Sequence, residues 1–275
     1  MNTKSIKNIK QGLSRREALA LARLASQNQT IITIDDIQTA IDVPYDNAKK
    51  IANNLVHKRW LDRLKSGTYL IVPLAAGETA EYTEHEFVIA AHLVDPMYIA
   101  YWTALNYHGL TEQVPLTVFA ATTAQVPARE IHDVTYTFVT VTEEKFFGYD
   151  PVAIDAQQVN VASVEKTLVD CADHPEYCGG IGELAKGLAA ADFEQATLTE
   201  YLRRQGNGAA IKRIVYLADR LEIELEQRDE LVAGFTAGYS KLDPTRGDEG
   251  RHVSEYRLLV NVPADEITTM VGDRS

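Results

Sequence analysis

Eight side chains in the first quarter of the chain could contact a nucleic-acid duplex: Arg15, Arg16, Lys49, Lys50, Asn53, His57, Arg63 and Lys65. Lysine and arginine neutralise phosphates and release their counterions. An asparagine can pair with both N6 and N7 of adenine, and lysine or arginine can reach guanine. These residues create a charge asymmetry. Residues 1–75 hold 12 Lys and Arg against 6 Asp and Glu, whereas the whole chain of 275 residues carries a formal charge of −12. A small basic unit joined to a larger acidic one predicts that the first meets a polyanion and the second does something else.

The local patterns predict the elements that must hold these side chains. Ser14 to Glu17 fits the S-x-x-E capping box, in which serine and glutamate satisfy each other's backbone N–H groups. The run ALALARLAS behind it is a strong helix former. Thr30 to Ile34 is β-branched and predicts a short strand. Asp35 or Asp36 is then expected to cap a second helix reaching about Ile41. Asp42 occupies the turn position where glycine is most usual, and aspartate tolerates the left-handed conformation better than most residues. Pro44 suits the first turn of a third helix.

Over Pro44–Arg59, a wheel of about 100° per residue puts Ala48, Ile51, Ala52 and Leu55 on one apolar stripe. Asp46, Lys49, Lys50, Asn53 and His57 fall on the opposite face. Asp62 to Val72 predicts a hairpin turning at Ser66-Gly67, with Arg63 and Lys65 near its tip. In that order the elements make a winged helix-turn-helix over residues 1–75, its third helix suited to the major groove. A winged helix that docks a protein would present the same elements, and a lysine-bearing helix face also serves as a merely solvated one.

A linker is expected at 76–82 and a larger domain over 83–275. Thr83 to Glu86 matches a second capping box, opening a helix through Leu93. Tyr98 to His108 predicts an aromatic-rich helix closed by Gly109. Strands are expected at Val114–Ala120, Val134–Val141 and Val159–Val161, then a helix capped by Ser163. Ile181 to Phe235 is helical in pattern, broken at Gly206-Asn207-Gly208, and Ser254–Val262 reads as a last strand. The fold class is therefore α+β (mixed α/β): an N-terminal winged helix-turn-helix, then a mixed-sheet domain with a helical section.

Little in the larger domain points to catalysis. It has no G-x-S-x-G, P-loop, G-x-G-x-x-G or H-E-x-x-H motif. Glu165, Lys166 and Asp170 share one helix and are expected to supply a cap and surface ion pairs. His108 suits a helix C-terminus as a structural cation. Cys171 and Cys178 are two thiols where a zinc site needs about four ligands, so buried or incidental thiols are expected. No catalytic residue, metal or cofactor is expected, and the chain reads as a non-enzyme. No stretch approaches the roughly 20 apolar residues of a membrane span, and the basic N-terminus lacks an apolar segment behind it. A cytoplasmic protein with no membrane partner is the expectation.

Several stretches, in this order, resemble the AbiEi family: Tyr101-Trp102-Thr103-Ala104-Leu105-Asn106-Tyr107-His108-Gly109-Leu110-Thr111, then Val118-Phe119-Ala120, then Val161 to Asp170 (VASVEKTLVD). Tyr239 to Pro244 (YSKLDP) and Leu258 to Pro263 (LLVNVP) complete the likeness, which runs from about residue 15 to 265. The chain departs from the family pattern at Asp42, where glycine is usual. The family comprises antitoxins and transcriptional regulators of type IV toxin–antitoxin systems. The resemblance implies a winged helix that binds operator inverted repeats in double-stranded DNA and represses its own operon; an inverted repeat needs two copies of the protein, whose cooperation can arise on the DNA alone. It implies a second domain that counteracts a nucleotidyltransferase-type toxin without a stable complex. It carries over no catalytic residues. Two other readings remain open. One is a ligand-responsive regulator with a pocket near Trp102, His108 and Tyr136. The other is a DNA-targeted nuclease with three converging carboxylates.

Overall fold

A computed structural model describes residues 10–77, 82–155 and 157–272. The chain divides into two compact units: the first takes residues 1–95 with 131–133 and 153–158, the second the remainder. Residues 78–81 of the expected linker lie outside the described residues. The first unit runs on past that linker to Asp95.

Within the first unit come α1 (Arg15–Ser26), β1 (Ile31–Thr33), α2 (Ile34–Ile41), α3 (Tyr45–His57), β2 (Leu61–Lys65), β3 (Thr68–Ile71) and α4 (Glu86–Leu93). The capping box of α1 forms as its sequence predicts: Ser14 N–H donates to Glu17 at 2.6 Å and Glu17 N–H to the Ser14 hydroxyl at 3.4 Å. Lys58, the C-cap of α3, also reaches Glu17 at 2.6 Å, tying the start of α1 to the end of α3. The cap of α2 is Thr33 rather than Asp35 or Asp36; Asp36 instead sits at N3 and completes a reciprocal box with Thr33. Asp42 ends α2 in the left-handed conformation, φ 51°. Ala48, Ala52 and Leu55 are buried against Ile37, Leu24 and Leu61, so the apolar stripe of α3 is the inner wall of this unit. Removing such a side chain, as in Leu55→Ala, costs about 2–5 kcal/mol.

The three strands form a sheet in the order β1-β3-β2, antiparallel throughout. The β2–β3 turn contains Gly67 at φ +79°, a conformation that L side chains resist. Beyond it, α4 begins at Glu86 with His85 as its cap, its imidazole accepting from Phe87 N–H at 3.1 Å. The expected Thr83 box does not form; the Thr83 hydroxyl donates to the Glu84 carbonyl.

The second unit contains β4 (Met97–Ile99), α5 (Tyr101–Tyr107), β5 (Thr117–Thr122) and β7 (Val134–Thr140), with most of β6 (Arg129–Ile131), β8 (Tyr149–Ile154) and β9 (Gln157–Ala162). Next come α6 (Val164–Asp173), α7 (Ile181–Ala190), α8 (Gln195–Gln205), α9 (Gly208–Arg220) and α10 (Arg228–Ala233). The chain closes with β10 (Ser240–Lys241), β11 (Arg251–Val253), β12 (Leu258–Val260) and α11 (Ala264–Gly272). β4 to β9 build a mixed sheet in the order β6-β7-β5-β4-β9-β8, with β4–β9 and β5–β7 parallel and β4–β5 antiparallel. β10, β11 and β12 form a small second sheet with β12 in the centre.

The helix expected over Tyr98–His108 is split. Met97–Ile99 pairs in the sheet, and α5 starts only at Tyr101, whose φ of 54° is a strained value for a bulky residue. The last strand is likewise shorter than expected, at Leu258–Val260. The whole is an α+β fold: helices of the larger unit cluster around α6, α7 and α9 over an apolar core that includes Leu168, Leu184, Leu198 and Ile214. Among the described residues no helix is long and apolar enough to cross a membrane.

Candidate nucleic-acid interface

Five of the eight candidate residues stand on exposed positions of α1 and α3: Arg15, Arg16, Lys49, Lys50 and His57. None of these five has a hydrogen-bonding or ionic partner among the described residues. The reason lies in helix geometry. Residues three and four apart share a face, so the burial of Ala48, Ala52 and Leu55 forces Lys49, Lys50 and Asn53 outward. Arg15 and Arg16 occupy the first turn of α1, where a cation opposes the helix dipole and adds nothing to helix stability. The Glu17–Lys58 pair brings that turn beside the end of α3 that carries His57.

Asn53 and Arg63 are exposed as well, and the structure joins them. Arg63 Nη2 donates to Asn53 Oδ1 at 2.7 Å, linking α3 to β2. The guanidinium also lies 5.6 Å from the ring centroid of Tyr69, its cross-strand neighbour on β3. The Asn53–Arg63 contact is not legible from spacing alone, because the two residues are ten apart and on different elements.

Lys65 is the exception. It is half-buried, and its Nζ donates to the Leu93 carbonyl at the end of α4 at 3.0 Å. That is a helix C-terminus, where a cation is favoured. Lys65 therefore fastens α4 to β2 instead of extending into solvent at the tip of the wing. The charge of the unit also differs from that of residues 1–75. The added segments through residue 95, with 131–133 and 153–158, bring seven Asp and Glu and no Lys or Arg. The positive character is thus a local surface of α1, α3 and β2, and not a property of the whole unit. Asp62 on β2, an acid of the basic stretch itself, meets His132 of the added segments.

Several charged groups of the larger unit are buried and engaged with one another. Lys166, with no exposed surface, donates to Asp170 at 2.6 Å and to Gln205 at 2.9 Å. Tyr98 donates its hydroxyl to the other Asp170 oxygen at 3.1 Å. Gln205 and Lys145 donate to Asp173 at 2.6 and 2.7 Å, and Asn207 donates to its second oxygen. The expected surface ion pair is therefore a buried network across β4, α6, α8 and the start of α9. Burial pushes the Asp170 carboxyl up, against the pull of Lys166 and Tyr98. For Asp173 burial again acts upward, but Lys145, Asn207 and Gln205 outweigh it and hold the carboxyl below the usual range.

The family-like segments have structural employment. Asp243 accepts from Ile181 N–H at 3.1 Å, capping α7 across Gly180, whose φ is +89° and whose absent Cβ leaves room for that carboxylate. Asn261 exchanges hydrogen bonds with the backbone of Asp243 at 3.0 and 2.8 Å. His108 contacts the Ala162 carbonyl at 2.7 Å. Cys171 and Cys178 are buried free thiols, as expected, with the Cys171 thiol pushed well up by burial.

A cavity of about 330 Å³ beside Trp102 is lined by Gln113, Glu183, Lys186, Asp243 and Arg246 among others. It excludes His108 and Tyr136, so the pocket expected of a ligand sensor is not assembled from those three residues. Among the described residues no three His, Cys, Asp or Glu side chains are placed to hold a metal ion, which is the arrangement the nuclease reading required.

No family model matches the chain, and no curated protein does. Among solved structures, the crystal structure of the RV2827C protein from Mycobacterium tuberculosis matches with a TM-score of 0.68 at 16% identity. The match covers 97% of this chain and 98% of that one. At such identity the likeness concerns fold alone: the chain shares its α+β architecture from end to end with the mycobacterial protein.

Proposed function

We propose that the chain is a DNA-binding antitoxin of a type IV toxin–antitoxin system that represses its own operon. The observation that carries the DNA-binding part is the exposed face of α3. Lys49, Lys50 and Asn53 project from it, and Arg63 of β2 is held beside them. A solvated face held rigidly by a buried apolar stripe is the form in which a helix enters a major groove. The antitoxin part is supported by the resemblance of residues 101–111, 161–170, 239–244 and 258–263 to the AbiEi family. In this proposal the second unit is a non-catalytic effector acting on a nucleotidyltransferase-type toxin without a lasting complex, and the protein works in the cytoplasm.

A mobility-shift assay of the full chain on the DNA upstream of its own gene tests the first part. A complex competed by the same duplex, and poorly by an unrelated one, is expected; equal competition would contradict an operator. Co-expression with the neighbouring toxin tests the second part. Growth should be restored by the wild type and by Lys49→Ala/Lys50→Ala alike, since rescue is assigned to the second unit. Failure of the wild type to rescue would contradict the antitoxin reading.

A further inference from the structure

Asn53 and Arg63 meet side chain to side chain, with Arg63 Nη2 donating to Asn53 Oδ1 at 2.7 Å. A guanidinium has donors and no acceptor, so the amide must turn its oxygen toward Arg63 and its NH₂ group away. Tyr69, buried at 2% exposure, supports the guanidinium from the β3 side. What the pair then offers to solvent is the Asn53 NH₂ and the remaining Arg63 N–H groups, which are all donors.

This arrangement changes what α3 can read. The major-groove edge of adenine presents an acceptor, N7, beside a donor, the N6 amino group; guanine presents two acceptors, N7 and O6. An unaccompanied asparagine matches adenine by donating to N7 and accepting from N6. Here the accepting oxygen is already engaged, and its second lone pair lies next to a full positive charge that repels the N6 amino hydrogens. We infer that Asn53 and Arg63 act as one preassembled donor pair that selects guanine over adenine at one position of each half-site. This rests on the proposed DNA-binding role of α3.

Selection of bound duplexes from a pool with randomised positions, using the full chain and sequencing the retained DNA, tests the pair. The wild type should enrich guanine over adenine at one position per half-site, on the order of tenfold. Arg63→Ala frees the Asn53 oxygen, so the preference there should move toward adenine. Asn53→Ala should weaken the preference without that move. Both residues are exposed, and unchanged thermal melting would show that the variants fold. Enrichment of adenine by the wild type would overturn the pair, as would an Arg63→Ala profile identical to wild type, while leaving DNA binding intact. Retention of no duplex at all would overturn the DNA-binding role and the pair with it.

Discussion

Lys49 and Asn53 on α3 are four residues apart, as are Lys166 and Asp170 on α6. The two pairs have opposite fates. On α3 the inner face is filled by Ala48, Ala52 and Leu55, and the polar residues stand in solvent. On α6 the polar pair is buried along with the apolar residues around it, covered by Tyr98, Phe147 and Gln205. Spacing says that two side chains share a face. Which face is wet depends on what packs against the helix, and that is decided far away in sequence. The exposed set keeps donors available for a partner, whereas the buried set uses its donors and acceptors on itself.

The largest effect that would test this contrast is on stability. Lys166→Ala leaves Asp170 as a buried charge without its cation and should cost about 3–5 kcal/mol in denaturant unfolding. Lys49→Ala, measured the same way, should be indistinguishable from wild type. A small loss for Lys166→Ala would mean that water reaches the α6 network.

Glu17 belongs with the buried set although it lies on α1, beside the exposed cations Arg15 and Arg16. Glu17→Ala removes the N3 partner of the cap and strands Lys58, an expected loss of about 1–3 kcal/mol. Its burial would raise the carboxyl's pKa, but Lys58 and Ser14 outweigh that and lower it. A carboxyl lowered in the folded state stabilises above its unfolded pKa, and that stabilisation is lost as pH falls through the lowered value. Thermal melts should therefore show the wild type losing stability on acidification over the range where Glu17→Ala loses less. Parallel acid profiles would contradict the pairing.

The pattern of what was legible follows the same division. The Ser14–Glu17 box, the left-handed Asp42, the Ser163 cap and the stripe of α3 are local devices, and each is written within a few residues. The break at Gly206 is likewise local. The strand at Met97–Ile99 is not. It exists because β5 and β9 flank it, and it forces Tyr101 into a left-handed backbone that no short pattern announces. Thr83 carries a capping signature, yet His85 does the capping. Tyr149–Ile154 and Ala264–Gly272, for which the sequence sets no expectation, fold as β8 and α11. Of the candidate interface, the exposed face of α3 was readable from its helical period. The Asn53–Arg63 bond and the attachment of Lys65 to Leu93 were not, because both join separate elements.

Lys65 gives the smallest and sharpest comparison. Lys65→Ala should remove the partly buried hydrogen bond to the Leu93 carbonyl, a loss of about 0.5–1.5 kcal/mol or more, and leave the salt dependence of DNA binding as it is. Lys50→Ala should do the reverse, with stability intact and DNA binding less sensitive to salt. If Lys65→Ala flattens the salt dependence as Lys50→Ala does, the side chain leaves Leu93 for the duplex and its assignment here is wrong.

The most direct measurement is the affinity of the full-length chain for the duplex upstream of its gene, titrated across salt by fluorescence anisotropy. For the wild type, log affinity should fall linearly and steeply with log salt. In Lys49→Ala/Lys50→Ala the slope should be shallower by about 0.9 for each phosphate contact removed. A wild-type affinity indifferent to salt, or a double variant with an unchanged slope, would contradict the assignment of α3 as the surface that meets DNA.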